Sequence, residues 1–75
     1  MFKLNHKKFI NGKLAGEANF KFKSLHSAQS RMHWDLIILQ EELWASPEEG
    51  KLSAYIQADN EYNQDESHEF MITEM

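Results

Sequence analysis

The 75-residue chain carries 8 basic and 12 acidic side chains, a net charge of −4, and no cysteine. Disulfides and cysteine-ligated zinc are therefore excluded, and no apolar run approaches the roughly 20 residues that cross a bilayer. At 41% apolar and 27% charged the composition is globular rather than disordered. We expect one soluble, cytoplasmic domain over 1–75, small enough that an oligomer or partner often adds stability.

The charge is divided along the chain. Residues 1–31 hold seven bases and only Glu17 as an acid, a net of +6. Residues 32–47 carry −3, and residues 48–75 carry eight acids against Lys51, a net of −7. Such a division predicts either a molecule that pairs its own ends or one that offers a charged face to a partner.

Phe2 to Ile10 and Leu14 to Ser24 read as two strands around Asn11-Gly12, a strong hairpin signal. A two-residue turn at Asn11-Gly12 would set the apolar residues of the two strands on opposite faces. A three-residue loop, Ile10-Asn11-Gly12, pairs Leu4 with Ala18 and Phe2 with Phe20. It gathers Phe2, Leu4, Leu14, Ala18, Phe20 and Phe22 on one face. A one-residue slip inverts every side chain, so the loop of three is the preferred expectation. The other face then holds Lys3, Lys7, Phe9, Lys13, Lys21 and Lys23.

Ser24 to Trp44 reads as a helix with Ser24 as its N-cap, since neither Gly nor Pro interrupts it. Leu25, Ala28, Met32, Leu36, Leu39 and Leu43 recur at helical spacing and form one narrow apolar seam. Ser46 to Gly50 ends the helix. Leu52, Ala54, Ile56 and Ala58 then alternate with polar residues, as do His68, Phe70 and Ile72, with a polar loop from Asp59 to Ser67 between them. The expected fold is α+β in the order ββαββ, with one helix packed on a mainly antiparallel four-stranded sheet.

Three surfaces stand out as candidate sites. Trp34, Ile37 and Ile38 lie roughly 120–220° from Leu25 around the helix, on its back, with Glu41 at the rim. Unless loops or the last hairpin cover them, tryptophan and isoleucine there mark a protein interface or a homodimer. The loop acids Asp59, Glu61, Asp65 and Glu66 could enter a basic cleft and imitate nucleic-acid phosphates. The same loop lacks the Gly and the closing Glu of a calcium loop. The lysine face (Lys3, Lys7, Lys21, Lys23) with Phe9 offers the cations and the aromatic of a nucleic-acid surface, or simply solvates a sheet.

Metal and catalytic chemistry find little footing. His26 and His33 lie about 10 Å apart along the helix, too far to chelate one ion. His6 and His68 have no partner at ligand spacing, and His6 reads as a hydrogen-bonded residue at the rim of the core. Neither a phosphate-cradling glycine loop nor a nucleophile elbow is present, so no catalytic residue, cofactor or metal is assigned. Small size, split charge and the lack of catalytic residues are features shared with many small phage-encoded inhibitors. The expectation is a non-enzymatic protein-interaction module, with a nucleic-acid-binding module as the alternative.

Overall fold

The computed structural model describes residues 1–75. Strands β1 (Phe2–Ile10) and β2 (Lys13–Phe22) are followed by helix α1 (Leu25–Leu43). Strands β3 (Glu48–Glu49), β4 (Ser53–Asp59) and β5 (Asp65–Glu74) complete the chain. The five strands form one sheet in the order β2-β1-β5-β4-β3, with every neighbouring pair antiparallel. The α+β class with one covering helix is as expected, but the sheet has five strands, not four. The added strand is a pair of glutamates that no propensity favours. It forms because Glu48 and Glu49 pair with Tyr55 and Ala54 along the open side of β4. No helix is long and apolar enough to cross a membrane.

The first hairpin corrects the expected turn. Asn11 (φ 51°) and Gly12 (φ 80°) form a two-residue connection with both residues in the positive-φ region, as a type I′ turn requires. Beyond it Phe9 faces Leu14 while Lys8 faces Gly16, so Ala15 is an unpaired bulge. The bulge supplies the one-residue shift assigned above to the loop. Phe2, Leu4, Ala18, Phe20 and Phe22 share the inner face as expected, but Leu4 pairs with Phe20 and Phe2 with Phe22, two residues beyond the expected register. On the turn side of the bulge the faces are exchanged. Leu14 joins Phe9 on the outer face and is 55% exposed, and Lys13 crosses to the face of Ile10.

The Ser24 hydroxyl accepts the Ser27 N–H at 3.1 Å and caps the helix. The helix stops at Leu43 because Trp44 adopts a left-handed conformation (φ 52°), three residues before Pro47. Ala28, Met32, Leu36, Leu39 and Leu43 are buried and Leu25 is half-buried, so the whole seam meets the sheet. It packs on Leu4, Ala54, Ile56, Phe70 and Ile72, with Phe2 and Phe22 at the margin. Leu52, expected to point inward with Ala54, is instead exposed, because β4 begins only at Ser53. The helix covers one face of the sheet. The other face, and the back of the helix, are open.

Strand order settles what the divided charge does. The basic β1 lies between β2 and the acidic β5, and Lys7 sits between Glu17 and Glu69 in one cross-strand row.

Candidate functional site

The helix back stands uncovered. Trp34 is 63% and Ile38 52% exposed, one turn apart, with Glu41 exposed beyond them and Ile37 half-buried on the flank. A groove of about 580 Å³ runs beside Trp34 between the helix and the β3 edge, lined in part by His26, His33, Glu49 and Lys51. Two contacts join its walls: His33 Nδ1 lies 3.1 Å from Glu49 Oε1, and Gln29 Nε2 donates to the Lys51 carbonyl at 2.9 Å. On the opposite flank Ile38 borders a smaller cavity of about 230 Å³ with Phe20, Arg31 and Asp35. Trp34 and Ile38 thus form an apolar ridge between two depressions.

The acidic loop is smaller than expected, because β5 begins at Asp65 and leaves only Asn60 to Gln64 outside the strands. Asn60 Oδ1 accepts the N–H groups of Tyr62 and Gln64, closing a tight turn in which Asn63 takes φ 57°. Asp59 and Glu61 are exposed as a docking prong needs. Asp65 is half-buried, accepting from Gln57 Nε2, while its backbone exchanges hydrogen bonds with Asn11 of the first turn. Glu66 is corrected outright. It is buried on the inner face and cannot reach a partner.

The lysines also divide. Lys3 faces Lys21 across β1 and β2, and both Lys21 and Lys23 are exposed. Lys7 is flanked by two glutamates, Phe9 by Leu14 and Ser67. Tyr55 lies on the same outer face, paired with Glu69 on one side and Glu48 on the other. Acids therefore interleave the face that sequence alone makes basic.

The group that sequence reasoning missed is a buried chain, Glu66–His68–His6. His68 Nε2 donates to Glu66 Oε2 at 2.7 Å, and Asn60 Nδ2 donates to Glu66 Oε1 at 3.2 Å. With His68 neutral its Nδ1 is then an acceptor, and takes the His6 Nε2–H at 2.8 Å. His6 also stacks on Phe70, with centroids 4.1 Å apart. Glu66 and His68 are two apart in one strand and so share a face, which was the available signal. His6 joins them only because β1 pairs with β5. Every buried side-chain nitrogen and oxygen has a partner. No group of three or more His, Cys, Asp or Glu side chains is arranged so that it could hold a metal ion.

Both ends of this chain are sensitive to acid. Burial first, and then repulsion from His68 when protonated, outweigh the opposing effect of Asp35 and, with lesser effects of Arg31 and Lys8, hold His6 below its ordinary value of 6.5. Burial alone would raise Glu66, but hydrogen bonds from His68 and Asn60 outweigh it and hold the carboxyl below 4.5. In both cases the unfolded chain takes up its proton at a higher pH than the folded one. Each group therefore stabilises the fold above its unfolded value, and that stability is lost as pH falls below it. Melting temperatures followed by circular dichroism should decline as pH drops below 6.5 and again below 4.5. The first decline should vanish in His6→Gln, whose amide still donates to His68. A wild-type melting temperature unchanged down to about pH 5 would contradict this account.

Comparisons with protein-family models, with curated proteins and with solved structures find no match.

Proposed function

We propose that this chain is a non-enzymatic protein-interaction module that presents the ridge of Trp34 and Ile38 to a protein partner, with Ile37 on its flank and Glu41 at its rim. One observation carries the reading. A tryptophan and an isoleucine one turn apart stand in water on the back of the only helix, and no loop or hairpin folds over them. Large exposed aromatics bordered by depressions are what interface anchors look like, because such a residue gains most when a partner excludes water around it. The exposed acids Asp59 and Glu61 add a negative end that favours a basic partner surface. A small cytoplasmic inhibitor of a host protein, of the kind phages encode, fits this combination of size, charge and anchor. The glutamates flanking Lys7 favour a protein over a nucleic acid as the partner.

The test uses wild type and Trp34→Ala as immobilised baits in extract of the native host, at low and high salt. Circular dichroism serves as the folding control. Partner affinity should fall at least roughly thirtyfold in the variant, the scale of a binding hot spot, and the variant should stay folded. Retention that survives about 0.5 M salt marks an apolar interface, whereas steep loss with nucleic acid in the eluate marks the alternative. A Trp34→Ala chain that unfolds, or that binds as well as wild type, overturns the reading.

A further inference from the structure

We propose that the free edge of β2 is a self-association site, and that its occupant is the same edge of a second copy of this chain, antiparallel and centred on Asn19. This inference stands apart from the ridge reading and uses different residues.

β2 ends the sheet on one side, so alternate residues along it direct their N–H and C=O groups away from β1. At the other end β3 is only two residues long and is charged. β2 is long, and its regular part runs from Gly16, next to the Ala15 bulge, to Phe22. Asn19 is the middle residue of that segment. A two-fold axis through Asn19 sets Glu17 opposite Lys21 of the second copy, Ala18 opposite Phe20 and Gly16 opposite Phe22, so the whole regular segment pairs with itself.

The charges select this register. Within one chain Lys3 and Lys21 lie directly opposite each other, a repulsive cross-strand pair, and neither has a carboxylate within 4.0 Å. Glu17 also lacks a cation within that distance, and Asn5 Nδ2 holds its carboxylate on the outer face at 2.7 Å. Across the proposed axis each Lys21 gains the Glu17 of the other copy. The row then reads Lys3, Lys21, and on the second copy Glu17, Lys7, Glu69, so the like-charge pair is offset by a neighbouring acid. An axis through Glu17 or through Lys21 would oppose like charges instead.

The inner face agrees. Phe20 is half-exposed, with the Arg31 guanidinium 4.2 Å above its ring, and would gain cover from the second copy's Ala18. Phe22 would meet Gly16, beside which nothing lies within 4 Å of an added Cβ, leaving room for a ring. The product is a ten-stranded sheet with both helices on one side and both Trp34 ridges still open.

Sedimentation over a range of concentrations tests the proposal. Lys21→Glu and Glu17→Lys each disturb two symmetric pairs, and each should raise the dimer dissociation constant roughly tenfold or more. The double variant, which restores opposite charges, should recover most of the affinity. Asn19→Cys, the only cysteine in its chain, should form a disulfide-linked dimer on mild oxidation, because antiparallel partners bring their Cα atoms within disulfide reach. Lys13→Cys, beyond the bulge, should not. A wild type that is monomeric at every concentration, a double variant no better than the singles, or equal crosslinking at the two cysteines each overturns the proposal. Dissociation by Trp34→Ala with no response to the charge variants would move the dimer to the ridge.

Discussion

Leu36→Ala should remove about 2–5 kcal/mol of stability, the range for deleting most of a buried leucine and leaving its cavity. Leu36 is 1% exposed and belongs to a core of only ten buried apolar residues. A chain of this size has about 4–11 kcal/mol in total, so the loss is a large share of what holds it together. Collapse around the void is restricted, because Gln29 and His33 bond the helix to the segment after it. Urea unfolding monitored by circular dichroism should show a much lower midpoint with a similar slope. A loss below about 1 kcal/mol would mean that the seam is not the centre of the core.

Glu66→Leu should cost about 1–3 kcal/mol at neutral pH, although it places an apolar side chain in a buried position. The cost arises at His68, which is 3% exposed and would keep its Nε2–H with nothing to accept it, while the Asn60 amide would lose a partner as well. Glu66→Gln, which retains an acceptor, should be milder. Replacing both Glu66 and His68 by leucine should recover part of the loss, since the unpaired donor is then gone. The same urea experiment reads all three variants. If Glu66→Leu matched wild type, the Glu66–His68–His6 chain would contribute nothing to stability, and the acid sensitivity assigned to it would fail too.

The main outline of the fold was legible in the sequence because it follows from periodicity. The leucine seam recurs at helical spacing, Ser24 offers a cap, and Phe2, Leu4, Phe20 and Phe22 alternate as a half-buried sheet demands. The first hairpin shows the limit of that reasoning. Periodicity requires that one extra residue lie somewhere between Lys8 and Gly16, but it is silent on whether that residue lengthens the turn or bulges a strand. Asn11 and Gly12 settle it, because both accept positive φ and so close the tighter turn, leaving the bulge to Ala15. Leu14 and Lys13 were misplaced for that reason alone.

What only the tertiary structure decided follows from strand order. Antiparallel pairing of β1 with β5 joins residues 56 to 72 positions apart, and no local pattern encodes it. That one pairing places His6 against His68 and Phe70, draws Glu66 out of the supposed acidic prong, and sets Lys7 beside Glu69 on a face that otherwise reads as basic. It also leaves β2 at the edge, where Lys21 faces Lys3 and neither Lys21 nor Glu17 has an opposite charge within 4.0 Å. By itself the sequence determined the helix and its buried seam, since both depend on neighbours within a few turns, whereas the bareness of the Trp34 ridge was decided by where the loops and the last hairpin run. The histidine chain, the divided lysine face and the open edge depend on which strands meet, and that is decided by the packing of the whole sheet under the helix.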